Sequence, residues 1–116
     1  MSSYTISIPN WHPVRLNMLM AVHHMKAYRL KEADKEVVAW YMSTVPPATT
    51  KRRLTLTIVL PPGRRGGDPS AYWKSLEDSL VSCKRLVNDS KEWVELAPVR
   101  YERGQAPASI ITLEDL

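Results

Sequence analysis

The chain contains no phenylalanine and a single cysteine, Cys83. One cysteine excludes an intramolecular disulfide and a Cys-rich zinc site, so a reducing, cytoplasmic setting is expected. Without Phe, the large residues Trp11, Trp40, Trp73 and Trp93 are expected to fill the core rather than to stack on bases. There is no apolar run of about 18 residues, and MSSYTISIPN lacks a basic region followed by an apolar one, so neither a membrane span nor secretion is expected. A Gly-rich nucleotide loop, a Ser/His/Asp arrangement and a Cys nucleophile with a spaced histidine are also missing. His12, His23 and His24 have no carboxylate at ligand spacing, and adjacent histidines point to different sides of a helix. Exposed or structural roles are expected for them.

What is present fits one domain spanning residues 1–116. With 44% apolar residues in 116, such a chain can build a core and bury roughly two thirds of the surface its unfolded form exposes. The net charge of +4 is unevenly placed: residues 1–67 hold ten Lys/Arg against three Asp/Glu, residues 68–116 six against nine. Lys51, Arg52, Arg53, Arg64 and Arg65 lie in one acid-free stretch. Such a cluster binds phosphates by counterion release, or else forms a solvated rim that keeps the protein soluble.

Tyr4–Pro9 alternates and reads as a first strand ended by Pro9 and Asn10. From about Lys26 to Ser43, Leu30, Val37, Val38, Trp40 and Tyr41 suggest a helical stripe, with Lys31, Glu32, Asp34, Lys35 and Glu36 on its charged side. Leu54, Leu56 and Ile58 alternate with Thr55, Thr57 and Val59 in a run closed by Pro61-Pro62-Gly63, the pattern of a central strand. A second helix follows, then strands near Trp93–Tyr101 and Ala108–Thr112. The order β-α-β-α-β-β predicts an α+β fold, two helices on a small mixed sheet.

The second helix carries the chemistry. Asp68-Pro69 is a strong start signal, since Asp caps free N–H groups and Pro is preorganised for the first helical position. At 100° per residue, Tyr72, Trp73, Leu76, Leu80 and Cys83 share one sector, while Ser70, Lys74, Glu77 and Asp78 share the opposite one. On spacing alone Asp68 is an N-cap, Lys74 with Asp78 an exposed i,i+4 pair, and Asn88-Asp89-Ser90 a turn. The basic glycine loop before this helix, PPGRRGG, suits a phosphate, and carboxylates nearby suit a divalent metal.

The run GGDPSAYWKSLEDSLVSCKRLVND is similar to the catalytic segment of RusA-type Holliday junction resolvases. That pattern is a basic loop, then D-x-D, a lysine four residues on, an Asp four further and an L-[VL]-x-D turn. The match falls on Asp68, Lys74, Asp78 and Leu86-Val87-Asn88-Asp89, about 25 residues, with Ser70 where the family has its second Asp. The resemblance implies a structure-selective endonuclease cutting branched DNA such as four-way junctions, Mg²⁺-dependent and homodimeric, in recombination and repair. By the same resemblance Asp68 and Asp89 would ligate Mg²⁺, with Ser70 at best a weak ligand. Lys74 would neutralise charge on the scissile phosphate, and Asp78 would hold Lys74 or a metal-bound water. The acid-free cluster of Arg64, Arg65, Lys51, Arg52 and Arg53 is expected to contact the DNA phosphates. Because Ser70 supplies no charge, two alternatives stand beside it: a DNA-binding member of the fold that has lost catalysis, and a protein–protein interaction module.

Overall fold

The computed structural model describes residues 2–116. Its elements are β1 (Ser3–Pro9), α1 (Leu16–Ala21), α2 (His24–Tyr41), β2 (Arg52–Leu60), α3 (Trp73–Ser82), β3 (Val94–Leu96), β4 (Arg100–Arg103) and β5 (Ala108–Asp115). Short 3₁₀ turns at Met42–Thr44 and Pro69–Tyr72 close α2 and open α3. The fold is α+β with a mixed sheet ordered β1-β5-β2-β3, and β4 also pairs with β2. β5 runs antiparallel to both β1 and β2, whereas β3 and β4 run parallel to β2 beside its two halves.

The centre of the sheet is β2, where period-2 alternation buries Arg52, Leu54, Leu56, Ile58 and Leu60 on one face. These residues meet Ile111 and Leu113 of β5, Val38 and Met42 at the end of α2, and Leu76 and Leu80 of α3 in one core. The helices thus cover one face. The other face is rich in threonine: Thr55 and Thr5 both register with Thr112, and the Thr5 and Thr112 hydroxyls lie 3.0 Å apart.

The structure departs from expectation at several places. The helix expected to start at Asp68-Pro69 opens as the 3₁₀ turn Pro69–Tyr72, so α3 itself begins at Trp73. A third helix, α1, stands before α2, and none of its six residues is buried. The single strand expected at Trp93–Tyr101 is two, β3 and β4, interrupted at residues 97–99, where Pro98 has no N–H to continue a ladder. Trp40 is 77% exposed, because it lies about 200° around α2 from buried Val38. Asp34, expected among the charged residues, is buried. Its carboxylate accepts bonds from Val14 N (2.8 Å), Ser75 Oγ (2.7 Å) and Trp11 Nε1 (3.2 Å). Burial nevertheless outweighs these donors and raises its pKa. Asp34 therefore ties the segment before α1 to both α2 and α3.

Candidate nucleic-acid interface

The loop between β2 and α3 is held from behind by side chains. Tyr72 donates its hydroxyl to Gly66 O and Tyr101 donates to Gly67 O, both at 2.9 Å, and the Arg103 guanidinium donates to Pro61 O and Arg64 O. Gly66 is buried under the Tyr101 ring, which a Cβ there would strike, and Gly67 sits at φ +70°, where glycine carries no steric penalty. Bonds spent on the backbone leave the Arg64 and Arg65 side chains outside these contacts. Both line a cleft of about 390 Å³ together with His12, Arg15, Met18 and Tyr72. His12 is fixed there by a 2.8 Å contact from Nε2 to Val59 O. Arg15 reaches Gly66 O at 3.5 Å and also lines a neighbouring cleft of about 250 Å³ with Leu16, Asn17, Met20, Asp68 and Ser70. Among the described residues, no carboxylate comes within ion-pair distance of Arg15, Arg64 or Arg65. Three guanidiniums thus converge on adjoining clefts, and Arg15 was not foreseen from the sequence.

The remaining expected cations lie elsewhere. β2 separates Lys51 from Arg64 by nine strand residues, roughly 30 Å at about 3.3 Å per residue. Arg52, expected to contact DNA, is 1% exposed. It pairs with Asp115 at 2.7 Å, donates to Pro46 O and Arg85 O, and lies over the Tyr4 ring. Its parity with Leu54 explains its burial, and its bonds explain why a charge is tolerated there. Arg53 stands on the opposite face, paired with Glu95 at 2.8 Å and Glu114 at 3.7 Å. The contiguous basic cluster is therefore divided into a buried structural arginine, a paired surface arginine, an exposed lysine and the free pair Arg64 and Arg65.

Around α3, Asp68 caps the 3₁₀ turn by accepting from Ser70 N at 3.0 Å, and the Ser70 hydroxyl donates to the same Oδ1 at 2.9 Å. Lys74 lies 3.4 Å from Asp78, and Lys31 of α2 approaches the same carboxylate at 4.0 Å. Asp89 follows a turn in which its N–H donates to Asn88 Oδ1, and it lines a third cleft with Lys51, Lys91 and Glu95. Glu77 lies between these groups. Burial, then the charges of Asp89 and Asp78, push its pKa up to about 6, against the pull of Lys74. Burial also raises the pKa of Cys83, the opposite of what a reactive thiolate requires.

One chain does not bring Asp68 and Asp89 into one cleft. The reason is topological: β2 and β3 are parallel, so α3 must run back between them, leaving Asp68 at its start and Asp89 beyond its end. Among the described residues, no group of three or more His, Cys, Asp or Glu has metal-holding spacing. Asp68 retains Oδ2, and Ser70 retains its lone pairs. Such a donor set fits Mg²⁺ only as partner to phosphate oxygens that a substrate brings, which is a common way for proteins to hold that ion.

No helix of the described residues is long and apolar enough to cross a membrane. Comparison of the chain with protein-family models and with curated proteins gives no match.

Proposed function

We propose that this chain is a structure-selective DNA-binding protein of the resolvase kind, docking on the phosphates of branched DNA at the paired clefts of Arg15, Arg64 and Arg65. The observation that carries the reading is the convergence of these three unpaired guanidiniums on a pinned glycine loop. Guanidiniums recognise phosphate bidentately, and a loop already ordered loses little entropy on binding. An acidic protein partner could use the same cations, and the salt-dependent DNA titration below separates the two.

The spacing of Asp68, Lys74, Asp78 and Asp89 supports the more specific reading, a Mg²⁺-dependent endonuclease for four-way junctions that works in the cytoplasm in recombination and repair. Asp68, with Ser70 beside it, would hold the ion against DNA phosphates, and the bound ion would supply Lewis acidity at the scissile phosphate. Lys74 would offset charge developing there, its ammonium positioned by Asp78. This reading requires a homodimer if Asp89 is to share a site with Asp68.

The binding reading is tested by fluorescence-anisotropy titration of a labelled junction across a range of salt. Arg64→Gln/Arg65→Gln should weaken binding to all DNA sequences alike and make the slope of log K against log[salt] shallower by roughly two. An unchanged slope would overturn the placement of phosphates in these clefts.

A further inference from the structure

The short helix α1 presents apolar side chains to solvent. Leu16 is 42% exposed, Met18 46% and Met20 78%. A surface helix normally turns such residues inward, and this one is held so that it cannot. Asp34 grips Trp11 and Val14 immediately before it, His12 is tied to Val59 O, and only Leu19 among its larger side chains is half-buried. The exposure of these side chains is therefore built into the anchoring of the segment, with Leu16 and Met20 on one flank of the helix and Met18 on the other.

Its surroundings state what it can meet. Met18 lines the cleft of Arg64 and Arg65, Leu16 and Met20 line the cleft of Asp68 and Ser70, and Arg15 belongs to both. The helix thus stands between two clefts, with Met18 toward Arg64 and Arg65, Leu16 and Met20 toward Arg15, and Asp68 the one acid lining either cleft. An occupant that complements it must offer anionic groups and bare apolar faces within a few ångströms of each other. Intact duplex offers phosphates only, because its bases are stacked. A branch point offers phosphates beside unstacked base faces, and Met or Leu side chains are effective wedges against those. Thioether side chains also adapt to an irregular partner surface.

We infer that α1 is a wedge that engages unstacked bases at a DNA branch, and that Leu16, Met18 and Met20 determine preference for branched over duplex DNA. The inference rests on the DNA-binding reading above and adds to it the source of selectivity.

The test compares wild type, Met18→Ser/Met20→Ser and Met18→Leu/Met20→Leu as full chains. Affinity is measured at matched salt for a four-way junction and for duplex of equal length, each with 2-aminopurine at the position of the branch. The serine variant should lose junction affinity by roughly tenfold or more while keeping duplex affinity and salt slope, and the leucine variant should keep both. Wild type should raise 2-aminopurine fluorescence in the junction and not in the duplex. A serine variant with wild-type junction affinity, or no fluorescence change on wild-type binding, would overturn the wedge and leave the DNA reading intact. A serine variant that converts a dimer into a monomer would show α1 to be a self-association surface, and recruitment of wild type to anionic vesicles without junction preference would show it to be a lipid-facing one; either overturns the inference. Wild type that binds no DNA at low salt would instead bring down the underlying reading.

Discussion

Replacing Asp34 by alanine removes the acceptor on which three elements converge. Ser75 Oγ is fully enclosed with its residue 1% exposed, whereas Trp11 Nε1 and Val14 N are part-buried. An enclosed donor without a partner costs about 1–3 kcal/mol, and part-buried donors less because water can reach them. The expected loss is about 2–4 kcal/mol, a large share of the 5–15 kcal/mol typical of a small domain. At roughly 4 °C per kcal/mol for a chain of this size, Tm should fall by about 8–16 °C. Glu36→Ala on the exposed side of the same helix should change stability by less than about 0.5 kcal/mol. The pH dependence has a definite sign. Because burial raises the carboxyl's pKa above its usual 3.8, the folded state holds the proton more tightly than the unfolded one. The contribution of Asp34 is then fully present below the unfolded value and diminishes as pH rises through the folded value. Urea titrations at several pH values should show the gap between wild type and Asp34→Ala widest in acid and narrowing toward neutrality. Equal losses for Asp34→Ala and Glu36→Ala, or a gap that widens with pH, would show that Asp34 does not hold these elements together as a buried acceptor.

Three further outcomes follow from the same geometry. Leu76→Ala should cost about 2–5 kcal/mol in chemical denaturation, whereas Lys74→Ala should leave stability nearly unchanged, since the first side chain is wholly buried and the second is 53% exposed. Glu77→Gln should make the protein relatively more stable above pH 6 and leave it unaltered well below pH 4.5, because the raised value of about 6 means the wild-type carboxyl ionises against burial and its acidic neighbours; a pH-independent difference in Tm would contradict this. Gly66→Ala should displace the Tyr101 ring and weaken DNA binding while largely sparing the core, which the anisotropy titration and the urea denaturation midpoint would report together.

Regular periodicity made the centre of the fold legible. The alternation of Leu54, Leu56 and Ile58 marked β2, and the stripe of Tyr72, Leu76 and Leu80 oriented α3 with Lys74 and Asp78 outward. The same periodicities, followed further, mark two residues that composition misassigns. Arg52 shares the parity of Leu54, and Asp34 stands one turn from both Leu30 and Val38, so each falls on an inward face. Their partners lie far along the chain: Asp115 for Arg52, and Trp11 and Ser75 for Asp34. That is why the sequence alone showed a charge without its compensation. α1 was invisible because LNMLMA is too short for a helical period and places its apolar residues outward. Arg15 joins Arg64 only through tertiary packing, whereas Lys51 is carried away from Arg64 by the length of β2. Lys74 and Asp78 pair on α3 as their spacing implies, whereas Asp68 caps the 3₁₀ turn before it; Asp89 does not reach Asp68 because a parallel β2–α3–β3 unit places them at opposite ends.

The most direct measurement is incubation of a labelled synthetic four-way junction with wild type, Asp68→Asn and Ser70→Asp, with and without Mg²⁺, scored by gel shift and by denaturing electrophoresis on the same samples. Junction binding by all three proteins is expected without metal. With Mg²⁺, wild type should cleave the junction, Asp68→Asn should abolish that cleavage and Ser70→Asp should increase it, because an added carboxylate strengthens the ion's hold. Absence of junction binding at low salt would rule out DNA docking at the Arg15, Arg64 and Arg65 clefts, and cleavage that persists unchanged in Asp68→Asn would rule out Asp68 as a metal ligand.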